Sequence, residues 1–148
     1  MTLAASELYQ ATILEHNRNP RGYGDLLTAT HRAEGFNPIC GDKITVSVLV
    51  SGSLISDVRF TAQSCALCRA SASVLVDSLK ALSLQSAEIF LSSFENMIQG
   101  RGEPVAGAAN AFAAIKDYPA RAKCVILPWR TFSSALKNQS SVTTEDQE

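Results

Sequence analysis

The chain has 148 residues, of which 46% are hydrophobic and 18% charged, and its formal net charge is −1. This length suits one domain with a real core, and without a basic excess the chain lacks the electrostatic footprint of a nucleic-acid-binding protein. It has no run of about 18 apolar residues that would predict a membrane span, and its first residues do not have the pattern of a signal peptide. We therefore expect a cytoplasmic protein with no nucleic-acid or membrane partner.

The N-terminal part of the chain predicts one amphipathic helix. Apolar residues recur at helical spacing over residues 3–18. One proline and two glycines within residues 19–25 end this helix. Residues 26–36 follow no clear period, and a short strand is the interpretation that we favour for them.

The next part of the chain predicts an antiparallel β-hairpin. Residues 43–50 alternate apolar and polar side chains, as a strand with one buried face does. Residues 51–53 read Ser-Gly-Ser and predict a tight turn. Residues 54–62 form the returning strand, whose apolar face is predicted to carry Leu54, Val58 and Phe60.

Beyond residue 65 the hydrophobic period changes from two to nearly four, which predicts helices. Ser83 or Ser86 is the candidate N-cap of the second helix. Pro119 is expected to end the third helix, and Pro128 is expected in the first turn of the fourth. The four predicted helices span residues 66–82, 83–100, 105–118 and 125–138.

This order of elements predicts an α+β fold, in which helices pack on one face of a small antiparallel sheet of about three strands. Residues 1–137 are expected to form a single domain, since no repeat or linker divides them. Residues 138–148 are polar and are expected to form a disordered tail.

Three of the four cysteines fall at predicted element boundaries. Cys40 precedes the first clear strand, Cys65 precedes the first of the later helices, and Cys124 precedes the last. In a cytoplasmic protein such thiols are more often metal ligands or reactive groups than disulfides. Asp42 follows Cys40 by two residues, and Gly41 between them has no side chain to obstruct either. Three thiolates and a carboxylate could form a tetrahedral site of the kind that zinc favours.

Spacing alone leaves other interpretations open. Cys65 and Cys68 form a C-x2-C pair, which also fits a redox site at a helix N-terminus, although the chain does not show the βαβ pattern of such proteins. The cysteines could equally be unrelated buried residues. Neither histidine is predicted to be a ligand: His16 lies late in a helix, where a cation suits the dipole, and His31 lies in the ambiguous segment.

Four segments of the chain resemble the IscU/NifU-N superfamily of iron–sulfur cluster assembly proteins, and most of all its SufU branch. The resemblance runs in order from about Glu7 to about Leu136. The long stretch between Cys65 and Cys124 favours SufU over IscU, and so does Lys123, which stands where IscU proteins typically have a histidine. The four segments are ELYQATILEHNRNPRGYGDL (7–26), NPICGD (37–42), QSCALCRASASVLVDSLKAL (63–82) and YPARAKCVILPW (118–129).

The resemblance implies a metal site and a role for several of its residues. Cys124 takes the place of the family's sulfur-accepting cysteine, and Arg121 that of a supporting arginine near the site. Cys68 stands where SufU relatives usually have another residue, so a spare thiol, an alternative ligand and a core residue all remain open. The family's metal ligands fall on Cys40, Asp42, Cys65 and Cys124.

The resemblance also implies a function in iron–sulfur cluster assembly. One form of it is a zinc-dependent, sulfurtransferase-like acceptor of persulfide sulfur from a pyridoxal-phosphate-dependent cysteine desulfurase of the SufS kind. The alternative is a non-enzymatic scaffold on which a transient [2Fe–2S] cluster is built and passed to downstream carriers. A structural zinc module is the third interpretation, and Asp42 disfavours it because closed structural sites normally use sulfur and nitrogen ligands.

Overall fold

The computed structural model describes residues 5–145, which form a four-stranded sheet with helices packed on it. Residues 3 and 4 of the predicted first helix lie outside the described residues. The predicted α+β class is confirmed. In chain order the elements are α1 (Ala5–Arg18), β1 (His31–Asn37), β2 (Asp42–Ser51), β3 (Leu54–Gln63), α2 (Ala66–Leu79), α3 (Leu84–Ile98), a 3₁₀ helix (Gly107–Asp117), α4 (Pro119–Leu136) and β4 (Ser141–Thr143).

The three long strands form an antiparallel meander, in the sheet order β3–β2–β1–β4. The apolar face of β2 is buried as its alternation predicted, through Ile44, Val46 and Val48. The returning strand differs from the prediction because Ser56 lies between the pairs Leu49–Asp57 and Val50–Ile55 as an extra residue. A bulge reverses the side-chain parity, so Ile55 is buried while Leu54 is exposed.

The C-terminal residues add a fourth strand that the sequence did not predict. The polar composition of residues 138–148 predicted a disordered tail, and the structure corrects this for residues 141–143. A short polar segment can form an edge strand because its backbone groups pair with the free edge of β1, a tertiary contact that composition does not encode. Residues 146–148 lie outside the described part of the chain. The parallel pairs of β1 and β4 are Glu34–Ser141, Gly35–Val142 and Phe36–Thr143.

The helices cover the face of the sheet that carries the apolar side chains of β2. Helix α4 packs against β1 and β2, while α2 packs against β3, α4 and α1. Gly35 permits the close approach of α4 to β1, because a Cβ at this position would overlap Oγ1 of Thr131 and lie 3.0 Å from Cδ1 of Leu127. Trp129 of α4 stacks on Phe94 of α3 with ring centroids 3.8 Å apart, which joins these two helices.

Helix α4 begins earlier than the sequence predicted. Pro119 does not end the preceding helix but stands in the first turn of α4, where its missing N–H is tolerated. Pro128 therefore lies in the helix interior rather than in a first turn, and Cys124 lies within the helix rather than before it. The stretch before Pro119 is helical as predicted, but as a 3₁₀ helix. The predicted N-cap of α3 is confirmed, since the hydroxyl of Ser83 accepts from the N–H of Ser86 at 3.1 Å.

None of the helices within residues 5–145 combines the length and the apolar character that crossing a membrane requires.

Candidate metal centre

Three of the four predicted ligands meet at the end of the sheet where β1 turns into β2. One ligand atom each from Cys40, Asp42 and Cys124 lie within 4.8 Å of one another. The thiol of Cys65 is not part of this group of three. Cys65 is nevertheless adjacent, because it is the N-cap residue of α2 and its backbone N–H donates to Oδ1 of Asp42 at 2.9 Å.

The β1–β2 hairpin presents two of the three, Cys40 and Asp42. Asn37 and Asp42 are the last paired residues of the ladder, and the N–H of Gly41 closes the loop by donating to the carbonyl of Asn37 at 2.9 Å. Gly41 has a φ of +76°, a left-handed conformation that favours glycine. The tight turn leaves Cys40 exposed while Asp42 points inward and is buried.

Asp42 is a buried carboxylate that lacks a cationic partner among residues 5–145. It is 2% exposed, and it accepts hydrogen bonds from Nδ2 of Asn37 at 3.1 Å and from the N–H of Cys65. The ion pairs formed within residues 5–145 do not include it. Burial of a carboxylate is costly unless a cation or metal compensates its charge. The donor set of one carboxylate and neighbouring thiols therefore fits a thiophilic divalent ion such as zinc.

Cys124 is the buried thiol of the group. It is 3% exposed, whereas Cys40 and Cys65 are exposed. Burial raises the pKa of the Cys124 thiol in the metal-free chain, and hydrogen bonds with Asp42, Cys40 and Cys65 raise it further. Coordination by a divalent cation would have the opposite effect, since metal binding displaces the thiol proton.

Two cationic residues, Arg121 and Lys123, closely precede Cys124 in sequence, and their environments differ. The ammonium of Lys123 lies 2.7 Å from Oε2 of Glu145, so it is paired with the C-terminal segment. Arg121 is exposed and takes part in none of the ion pairs between described residues. Neither cation is among the groups that shift the pKa of Cys124.

Cys68 and the histidines lie outside the cluster. Cys68 is fully buried in α2, and burial raises the pKa of its thiol. His16 is also buried, and its Nδ1 lies 2.7 Å from the hydroxyl of Ser73. Burial lowers the pKa of His16, which corrects the prediction that it stands at the helix end as a cation. His31 forms a hydrogen bond with Thr30.

Asn37 belongs to the site although the sequence did not predict it. Its side chain is fully buried and donates to Oδ2 of Asp42 and, at 3.5 Å, to Sγ of Cys124. An Asn-Pro pair is an ordinary turn signal, which conceals this role. The alternation of Ala33, Gly35 and Asn37 on the buried face of β1 is the one signal that could have revealed it.

The family described as "NifU-like N terminal domain" matches residues 8–125. The chain belongs to this family. The predicted resemblance is thereby confirmed. Two relatives of this NifU-like chain cover nearly its whole length. The "Zinc-dependent sulfurtransferase SufU" of Bacillus subtilis is 28% identical over 135 residues, which are 89% of the chain and 91% of the relative. The "Iron-sulfur cluster assembly scaffold protein IscU" of Thermotoga maritima is 32% identical over 135 residues, 90% and 95% of the two chains.

Solved structures agree with this family and fold. A candidate iron–sulfur cluster assembly scaffold for the SUF system from Fervidobacterium islandicum AW-1 superposes with a TM-score of 0.82 at 32% identity, over 90% of the NifU-like chain and 99% of the other. A NifU-like N-terminal domain from Brucella abortus superposes with a TM-score of 0.79 over 90% and 95% of the two chains. That second match has 20% identity and concerns the fold alone.

Proposed function

We propose that this chain serves iron–sulfur cluster assembly as an acceptor of persulfide sulfur, at a zinc centre held by Cys40, Asp42, Cys65 and Cys124. The observation that carries this proposal is the buried carboxylate of Asp42, which has thiols within 4.8 Å and no cationic side chain paired with it in residues 5–145. The similarity to a SufU that is named a zinc-dependent sulfurtransferase supports the choice of metal and activity.

Bound zinc would supply thiolates that are deprotonated at neutral pH and yet exchangeable. The donor of sulfur is the persulfide of a cysteine desulfurase that depends on pyridoxal phosphate. A thiolate of this chain attacks the terminal sulfur of that persulfide, a new S–S bond forms, and the desulfurase cysteine leaves as a thiolate. The exchange moves one sulfur atom and requires no external oxidant or reductant.

The side chains around the site suit the anion that this exchange produces. Cys65 is the N-cap residue of α2, and the positive end of a helix dipole stabilises a thiolate or persulfide anion there. Arg121 is exposed one turn before Cys124 and is available as the supporting cation. Lys123 is less available because Glu145 holds its ammonium.

The choice of the accepting thiol depends on access to the partner. The family resemblance assigns the transferred sulfur to Cys124, and we retain it as a candidate acceptor. Its 3% exposure leaves another protein's persulfide little access to it, in contrast to the exposed loop of residues 38–41. Cys40 stands exposed on this loop, so exposure favours Cys40 as the thiol that meets the partner first.

Persulfide mapping tests the proposed activity. The chain is mixed with a cysteine desulfurase and free cysteine, and persulfide is located by mass spectrometry in the parent and in Cys40→Ser and Cys124→Ser variants. We expect persulfide on a ligand cysteine and loss of desulfurase stimulation in the variant that lacks the acceptor. Persulfide on no ligand cysteine, together with full stimulation by both variants, would contradict the proposal.

The second candidate function is a scaffold for a transient [2Fe–2S] cluster. The 32% identity with an IscU scaffold, over nearly the full length of both chains, favours this function. Metal analysis of anaerobically purified protein separates the two functions. About one zinc ion per chain, as a single four-ligand site requires, supports the acceptor. Iron with acid-labile sulfide supports the scaffold, from which downstream carriers would receive the cluster.

A further inference from the structure

The side chain of Asn37, the last residue of β1, contacts two of the proposed ligands, Asp42 and Cys124. It is fully buried and directly opposite Asp42 in the β1–β2 ladder. Its Nδ2 lies 3.1 Å from Oδ2 of Asp42 and 3.5 Å from Sγ of Cys124. An amide nitrogen carries two protons, so one side chain can donate to both groups at once.

The chemistry of the neighbours determines how the amide of Asn37 is oriented. A carboxylate only accepts hydrogen bonds, and so does a thiolate. The NH2 group must therefore face Asp42 and Cys124, which turns Oδ1 away from them. On that side the hydroxyl of Thr144 lies 3.1 Å from Oδ1 and 3.1 Å from Oε2 of Glu145, and its single proton can go to either acceptor. When it donates to Oδ1, Thr144 supports the amide orientation that serves the two ligands.

The C-terminal strand brings Thr144 to this position. The parallel pairing of β4 with β1 ends at Phe36 and Thr143, and the N–H of Thr144 continues it by donating to the carbonyl of Phe36 at 3.0 Å. Thr144 is consequently buried beside Asn37, although 107 residues separate them in sequence.

A second link joins the same segment to α4. Oε2 of Glu145 accepts from the ammonium of Lys123 at 2.7 Å, and Lys123 directly precedes Cys124. The N–H of Glu145 donates to the hydroxyl of Thr143 at 3.2 Å, which fixes the end of the segment. Residues 141–145 thereby contact both elements, β1 and α4, that contribute to the metal centre.

We propose that Asn37 is a positioning residue of the metal centre and that the C-terminal segment, residues 141–145, holds its amide in the working orientation. This inference rests on the proposed zinc centre. Asn37 aims Oδ2 of Asp42 and Sγ of Cys124 towards one point, and Thr144 keeps the amide from turning. Hydrogen-bonding partners of metal ligands commonly tune affinity in this way.

Isosteric substitution at Thr144 provides the sharpest test in the full chain. Thr144→Val removes the hydroxyl and keeps the shape, whereas Thr144→Ser keeps the hydroxyl. Thr30→Val is the matched control, because the hydroxyl of Thr30 also donates a hydrogen bond, to the carbonyl of Val48 at 3.2 Å, but lies beyond the end of β1 farthest from Asn37. Asn37→Ala removes the positioning amide itself.

Zinc affinity by chelator competition and the visible spectrum of the cobalt(II)-substituted protein are the readouts. We expect Asn37→Ala to weaken zinc binding about 10- to 100-fold, and Thr144→Val to weaken it about two- to tenfold, as the loss of one hydrogen bond does. Both should alter the cobalt bands, which report ligand geometry. Thr144→Ser and Thr30→Val should leave affinity and spectrum unchanged, even where unfolding in chelator shows a lower Tm.

Zinc affinities and cobalt spectra of Thr144→Val that match those of Thr30→Val would overturn the inference and leave the proposed centre intact. This comparison decides the point even if Asn37→Ala fails to fold. A parent chain that binds no zinc would overturn the inference together with the proposed function.

Discussion

Asp42 is the residue on which the proposed metal centre most depends. Its two oxygens have different fixed partners, since Oδ1 accepts from the N–H of Cys65 and Oδ2 accepts from Asn37. Each carboxylate oxygen has a further lone pair, so these hydrogen bonds orient the group without exhausting its capacity to bind a cation. A carboxylate is also a more exchangeable zinc ligand than a thiolate, which suits the proposed release of a thiol to the persulfide donor.

Asp42→Asn should weaken zinc binding by about tenfold or more, because it removes the negative charge and leaves an amide in a ligand position. The fold should persist with a modest loss of stability, since the asparagine removes the cost of a buried charge but its NH2 group leaves either the N–H of Cys65 or the amide of Asn37 without an acceptor. Chelator competition gives the affinity, and urea unfolding in excess chelator gives the stability. A zinc affinity equal to that of the parent would exclude Asp42 from the ligand set.

Cys68→Ser should keep the metal stoichiometry of the parent, because Cys68 lies outside the cluster of Cys40, Asp42 and Cys124. The buried position makes a hydroxyl costly, and we expect a loss of roughly 1–3 kcal/mol in the free energy of unfolding. Cys68→Ala is the control, since it removes the thiol without burying a hydroxyl. Zinc analysis and urea unfolding in chelator measure the two effects, and metal loss in either variant would place Cys68 among the ligands.

Helix α4 and strand β1 fix the distance across the site, because α4 carries Cys124 and β1 ends at Asn37. Gly35 allows the short distance between α4 and β1, because a side chain at this position would overlap Thr131. The opposite end of the sheet, where Leu54 bridges to Ser83, is built by other elements. Packing at these two ends should therefore affect metal binding differently.

Gly35→Ala should lower the free energy of unfolding by about 1–3 kcal/mol, since an added methyl overpacks the junction of β1 and α4. It should also weaken zinc binding, because Cys124 is displaced from Asn37. Ser83→Ala is the matched control: loss of this N-cap should cost about 1 kcal/mol while zinc affinity stays unchanged. Urea unfolding and chelator competition test the pair, and equal zinc affinities in both variants would refute the coupling.

The stability of the molecule depends in part on how α1 is attached to α2. His16 is buried between them, and its ring contacts the hydroxyl of Ser73. Burial lowers the pKa of His16 from 6.5, and the Arg21 guanidinium lowers it further, while Asp77 and Glu15 act in the opposite direction. The folded chain therefore favours the neutral imidazole.

Acidification should destabilise the fold through His16. In the unfolded chain His16 binds a proton at about pH 6.5, and in the folded chain it does so only at lower pH. The stability that the neutral imidazole provides above pH 6.5 is therefore lost as the pH falls towards the folded pKa of His16. His16→Gln, which does not titrate, should flatten this part of the profile. Urea unfolding of both proteins in chelator between about pH 7.5 and about pH 5.5 measures the difference. Parallel profiles would show that His16 does not contribute.

Local patterns in the sequence were enough to predict the helices, the β2–β3 hairpin and the ligand chemistry. The alternation of β2 and the helical periods beyond residue 65 depend on neighbouring residues, which a single sequence displays directly. The bulge at Ser56, the early start of α4 at Pro119 and the strand β4 were not predictable in this way. Each depends on a partner element that is distant in sequence.

The sequence predicted Cys40, Asp42, Cys65 and Cys124 as ligands because donor chemistry is a property of the residue itself. It could not show that Asn37 joins Asp42 to Cys124, or that Thr144 supports Asn37, since these contacts span 87 and 107 residues. Nor could it show that Cys40 is exposed while Cys124 is buried. Side-chain accessibility and long-range hydrogen bonds arise only when α4 packs against β1, because that packing excludes water from one thiol and leaves the other at the surface.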